Sequence, residues 1–233
     1  MCVQSQLGLK VSLVMLLVYG DESFDEKHQR ICALSGIIGR EEQWARLEKA
    51  WIERNNGVPF HATDCDTDSD IYGSRDHAHN KELYKDLTLL LANSGLYGYA
   101  SVLDLRAVRE YFPDAFDLGY YRAFWHVLDE VQNIAGQLGE LAKLTLAARA
   151  ETDYNALVLY ANLRNSLPEW KERICPELSS VPANESARVQ AGDLFAREAM
   201  KAIDNLIGPV QREPRKSWIA LRDTKRFGAV LVN

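Results

Sequence analysis

The residues best placed to do chemistry are acids carried where acids are costly. In the segment YGDES, residues 19–23, Asp21 and Glu22 follow directly on the most hydrophobic stretch of the chain, residues 11–19. That stretch has the branched, apolar character of a buried strand, and in α/β sheets ligands and metals gather at the carboxyl ends of strands. A second acid stands out near the other end of the chain. From residue 184 the spacing predicts a helix reaching residue 207, with Val189, Ala196, Met200, Ile203 and Ile207 on its core stripe. Asp193 falls on that stripe, so the helix cannot bury its apolar face without carrying a carboxylate inward. Gly192 permits another backbone to come close, and Gln190 and Arg197 lie one turn to either side, offering hydrogen bonds or a counter-charge. Each acid alone has an ordinary reading: a solvated turn for Asp21 and Glu22, an Arg197-paired carboxylate for Asp193. Brought together, carboxylates raise one another's pKa unless a cation intervenes, and a divalent metal would supply the missing charge.

The elements that must position these residues follow from periodicity. After the first strand, residues 31–38 (ICALSGII) form a second apolar run at hairpin distance, so two antiparallel strands are expected. Residues 41–54 read as a helix with Trp44, Leu47, Ala50 and Trp51 on its inner face, and residues 58–75 as an irregular polar segment after Pro59. Helices are expected at 80–92, 114–134 and 153–167, the last closed by Pro168. Strands are expected at 96–103, 141–148 and 176–181. Strands paired early, then strand and helix in alternation, place the chain in the α/β class.

Other constellations carry less. Asp64, Asp66 and Asp68 alternate like a calcium loop, but the sixth and twelfth positions counted from Asp64 hold Ser69 and Arg75 where glycine and glutamate are needed. A mobile acidic loop is the reading adopted, with His61 or Asp64 as the residue that would reach the acids. His77 and His79 lack a ligand partner at useful spacing and read as solvated, and His126 reads as a structural histidine beside Trp125. Arg212, Arg215, Lys216, Arg222, Lys225 and Arg226 concentrate in the tail against Glu213 and Asp223. That segment is a phosphate-contacting arm if it lies beside the acids, and ordinary surface if it does not.

With 233 residues and 47% hydrophobic content, a single domain is expected, with residues 1–14 as a candidate extension and 208–233 as a basic C-terminal segment. A net charge of −6 argues against a protein that coats nucleic acid nonspecifically. Cys2, Cys32, Cys65 and Cys175 are dispersed and form no CxxC pair, which fits a reducing cytoplasm better than a disulfide framework. Lys10 and the apolar run after it imitate a secretory signal, yet no small-residue cleavage site follows and no stretch approaches a membrane span. Met15 is an alternative start, since the strand reads complete from Leu16.

The segments YGDES, FHATD (residues 60–64) and VQAGDLFA (residues 189–196), in this order and spacing, resemble the family catalogued as domain of unknown function 3800. The resemblance implies a ribonuclease H-like fold, a mixed central sheet of about five strands with helices on both faces, whose acids hold Mg²⁺ or Mn²⁺. It makes Asp21 the first-strand acid with Glu22 its neighbour, Asp193 the last-helix acid, Gln190 its helix partner and His61 the histidine of the His-Ala element. Two positions depart from the family pattern: Phe24 stands where many relatives have glycine, and residues 141–148 carry no acid. Glu151 is taken as the third acid. The function implied is cleavage of nucleic acid, DNA or RNA, by two-metal-ion water activation: Asp21 and Asp193 share one Mg²⁺, Glu22 or Glu151 helps hold a second, His61 orients water or protonates the leaving group, and Ser23, Gln190 and Arg197 contact substrate. A binding module for nucleic acid or a protein, sharing the fold without catalysis, is the alternative.

Overall fold

The computed structural model describes residues 15–25, 30–111, 116–148 and 153–232. Strand β1 (Met15–Gly20) directs Leu16 and Val18 to one face of the sheet and Leu17 and Tyr19 to the other. Strand β2 (Glu22–Phe24) continues its line, because both lie antiparallel to β3 (Ile31–Gly39) in one unbroken register. The break between them is Asp21, set opposite Ser35, whose N–H donates to the Asp21 carbonyl at 2.9 Å. Gly20 is required there: a Cβ would lie 2.1 Å from the Ser35 carbonyl oxygen.

Helix α1 (Glu41–Asn55) buries the expected Trp44, Leu47 and Trp51. The stretch expected to be irregular instead contains α2 (Ala62–Thr67) and a 3₁₀ turn at Asp70–Tyr72. Three of its acids are engaged: Asp64 with His61, Asp66 with Arg197 and Arg215, Asp68 with His77 and Asn80. Partnered charges and the buried Ala62 and Cys65 turn what reads as a mobile acidic loop into a docked helix. His77 accordingly lies not in a solvated loop but in the first turn of α3 (His77–Ala92), which Asp76 caps.

The chain continues through β4 (Tyr97–Asp104), α4 (Leu105–Tyr111), α5 (Phe116–Leu138), β5 (Leu141–Ala147) and α6 (Asp153–Ser166). Pro168 opens helix α7 (Pro168–Arg173) rather than only closing α6, since proline is well accommodated in a first turn. Strand β6 (Ile174–Val181), α8 (Ala187–Ile207), α9 (Lys216–Arg222) and β7 (Phe227–Val232) complete the described chain.

The result is a mixed α/β sheet of seven strands, ordered β6-β5-β1-β3-β4-β7 with β2 alongside β3. Strands β5 and β6 run parallel with β1, β7 runs parallel with β4, and β3 is antiparallel to its neighbours. The count exceeds the expected five or so because β2 is three residues long and β7 lies in the tail read as a basic segment. Helices α1, α2, α3, α8 and α9 pack one face, and α5, α6 and α7 the other.

Helix α8 organises the first of these layers. From Val189 to Met200 every residue is buried, so the helix is enclosed all round rather than presenting one stripe. It can lie this close to the sheet because of Gly192, where a Cβ would meet Gly20 Cα and C at 3.0 Å and Asp21 N at 3.1 Å. Those neighbours are backbone and cannot swing aside. Gly192→Ala is therefore expected to destabilise the fold by about 1–3 kcal/mol, despite the ~1 kcal/mol that alanine gains in a helix. The check is a lowered urea midpoint at unchanged m-value.

Candidate functional site

The contact between α8 and the β1–β2 junction brings Asp21 and Asp193 to one place. Asp21 is 8% exposed and Asp193 3%. The Asp21 carboxylate accepts the Glu22 N–H at 2.8 Å. Ser35 donates its hydroxyl to the Gly192 carbonyl at 2.9 Å, which ties the strand opposite Asp21 to the residue preceding Asp193. From the far side, the first turn of α2 closes on the pair: the Ala62 N–H donates to Asp193 Oδ2 at 2.7 Å. His61 is the N-cap residue of that turn, and its Nδ1 lies 2.6 Å from Asp64 Oδ2.

Electrostatics follow from this placement. Burial, reinforced by the negative charges of Glu22 and Asp193, pushes the Asp21 carboxyl well above the usual carboxylate range. Burial also raises Asp193, although His61, the Ala62 N–H and Arg197 pull the other way. For His61, burial alone would lower the imidazole, but the nearby Asp193 and Asp64 outweigh it and the net shift is upward. The fold thus spends free energy to hold like charges together out of water.

The expected site residues separate into those at this point and those elsewhere. Asp21, Asp193 and His61 converge, and Glu22 is near enough to perturb Asp21. Ser23 is buried in β2. Gln190 uses both ends of its amide as a strut, accepting from Trp51 Nε1 at 3.2 Å and donating to the Ala183 carbonyl at 3.0 Å. Arg197 supplies a counter-charge to Asp193 through space, but its own hydrogen bond goes to Asp66 at 2.9 Å. Glu151 lies outside the described residues.

The sequence reading missed a second polar layer immediately beyond. Fully buried Glu198 accepts from the Tyr84 hydroxyl at 2.7 Å and the Ser217 hydroxyl at 2.5 Å, with Arg215 at 3.3 Å. Arg215 also holds both oxygens of Asp66, at 2.6 and 2.9 Å. One signal was present: Glu198 follows Leu194 and Phe195 by four and three residues, so it shares their apolar side of α8. Of the basic tail, Arg215 therefore serves inside the fold, while Arg226 reaches the Gly95 carbonyl at 2.8 Å and Arg222 pairs with Asp223.

Among the described residues, no group of three His, Cys, Asp or Glu side chains is disposed to hold a metal ion. Asp21 and Asp193 nonetheless suit a hydrated hard cation. Mg²⁺ keeps most of its waters and takes one or two carboxylates, and two carboxyls that burial raises, Asp21 further by the charges of Glu22 and Asp193, are a donor set such a charge relieves. A scan against protein-family models finds no match to the chain, and a search of curated proteins finds no significant similarity. No helix among the described residues is long and apolar enough to cross a membrane.

The raised Asp21 pKa has a consequence for stability. Between the ordinary carboxylate pKa and the raised native value the folded state binds more protons than the unfolded one, so stability falls as pH rises through that window. Asp21→Asn keeps an oxygen for the Glu22 N–H and removes the charge. In metal-free buffer its denaturation midpoint is expected to exceed that of the wild type at neutral pH, the two converging below about pH 4. Denaturant titrations across pH check this.

Proposed function

We propose that the protein is a metal-dependent phosphodiesterase of ribonuclease H-like type acting on nucleic acid. The observation that carries this reading is the pair of buried, mutually repelling carboxylates at the end of β1 and on α8, closed over by the His61–Ala62 turn. The three segments on which the family resemblance rests, separated by most of the chain, meet at that pair. The mixed sheet with helices on both faces accords with the ribonuclease H-like type.

Asp21 and Asp193 would hold a Mg²⁺ or Mn²⁺ ion, with Glu22 beside them. Such an ion, when bound, neutralises charge on a phosphodiester and lowers the pKa of water toward neutrality. The chain's own contribution is position and proton control. Ser35 and the Gly20–Gly192 contact fix the spacing of the two acids, and the Ala62 N–H orients Asp193. Asp64 occupies His61 Nδ1, leaving Nε2 as the nitrogen that delivers a proton to a departing oxygen. Because the His61 pKa is raised, the imidazolium persists to higher pH than an ordinary histidine would allow.

The test begins with calorimetric titration of Mg²⁺ and Mn²⁺ into chelator-stripped protein, followed by cleavage assays on single- and double-stranded DNA and RNA. Metal binding is expected in the wild type and lost in Asp193→Asn. Cleavage is expected to fall to the metal-free blank in both Asp21→Asn and Asp193→Asn while circular dichroism stays native. His61→Ala should lower the rate about 10²-fold or more. In the wild type, activity should decline as pH rises through the His61 pKa, and that limb should vanish in the variant. A wild type that binds neither ion and cleaves nothing, or an Asp193→Asn variant with full activity, would overturn the assignment.

A further inference from the structure

We propose that the cleft between α3 and α9 is a binding site for a small organic phosphate with a flat or apolar body, the nucleotide class. The cleft has a volume of about 590 Å³, within the range of sites that enclose small molecules. Its mouth carries Lys81 and Lys85, one turn apart on α3, and Lys216 facing them from the first residue of α9. All three are exposed, and none makes an ion pair with a described residue. In a chain of net charge −6, a lining that carries Lys81, Lys85, Lys216 and Arg215 against the single carboxylate Asp66 is a local inversion of sign, and that inversion favours an anion.

The interior is apolar. Leu89, 40% exposed, and Ala220 line it, and Thr88 spends its hydroxyl on the Tyr84 carbonyl at 2.8 Å. Tyr84 and Ser217 have their hydroxyls committed to Glu198, so the wall has little hydrogen-bonding capacity of its own. The Arg215 guanidinium lies 5.3 Å from the centre of the Tyr84 ring and is held by Asp66 and Glu198, which fixes the wall before any ligand arrives. Asp66, the carboxylate lining the cleft, is already neutralised by Arg197 and Arg215. Cations at the mouth over an apolar, prearranged interior select a ligand charged at one end and apolar at the other. A cleft of about 590 Å³ fits a compact ligand better than a polymer strand.

This site does not involve Asp21 or Asp193 and stands whether or not they are catalytic. The experiment is calorimetric titration of AMP, ADP, ATP and inorganic phosphate into the intact chain in the presence of chelator, so that the carboxylate pair contributes nothing. The variants are Lys81→Glu, Lys85→Glu and Lys216→Glu, exposed positions whose change leaves the core intact, and Leu89→Glu. At least one nucleotide is expected to bind, more tightly than inorganic phosphate. Each lysine reversal should weaken it about tenfold, and added salt should weaken it further. Leu89→Glu should weaken the nucleotide more than inorganic phosphate. The proposal is overturned if no nucleotide binds at about 1 mM, if inorganic phosphate binds as tightly, or if the reversals change nothing.

Discussion

The close contact between α8 and the break in the first strand governs the rest of the molecule. Two glycines, Gly20 and Gly192, let backbone approach backbone at a distance no side chain would tolerate, and Ser35 bonds across the gap. Close approach here carries an electrostatic cost, because the residue after each glycine is an aspartate. Apolar burial along the remainder of α8, against Leu17, Tyr19, Ile37 and Val102 of the sheet, offsets that cost. The sheet's topology serves the same end: β1 lies at its centre, between β3 and β5, so the acid at its tip is held by strands on both sides.

Charge is handled differently one turn further along α8. Where Asp21 and Asp193 share no cation within hydrogen-bonding distance among the described residues, Asp66 and Glu198 are saturated by Arg197, Arg215, Tyr84 and Ser217. The same helix thus carries an unneutralised polar layer beside a neutralised one. The difference is informative because both lie in the same buried environment: the fold is able to compensate carboxylates with arginine, and at Asp193 Arg197 does so only through space. The short helix α2 joins the layers, its Ala62 N–H turned to Asp193 and its Asp66 to the arginines.

Much of the framework was legible in the chain, and the losses have physical causes. Long periodic segments such as α1, β3 and α8 announced themselves, since burial writes its period directly into residue type. Asp193 was legible for the same reason, as a charge on an apolar stripe. The segment around residues 58–75 was misread because its polarity is that of a solvated loop. Its order comes from partners such as Arg197 and Arg215, more than a hundred residues away, and no local pattern encodes them. Strand β7 was hidden by the basic residues around α9, although its own residues are apolar. Gln190 could be placed beside Asp193 from spacing alone, but that its amide would be consumed by Trp51 and Ala183 depends on packing that spacing does not describe.

The late position of α8 in the chain has a consequence for biogenesis. Strands β1, β3 and β4 and the inner faces of α1 and α3 are all synthesised well before the helix that fills the space between them. Until it emerges, Leu17, Ile37, Val102, Trp44 and Leu87 have no common core to enter, and the nascent chain carries an open apolar face. Contacts between such distant segments close slowly, and their late closure leaves intermediates prone to association. A newly made chain therefore depends on being kept from its neighbours until α8 is released, and truncation ahead of residue 187 would yield not a smaller domain but an adhesive one.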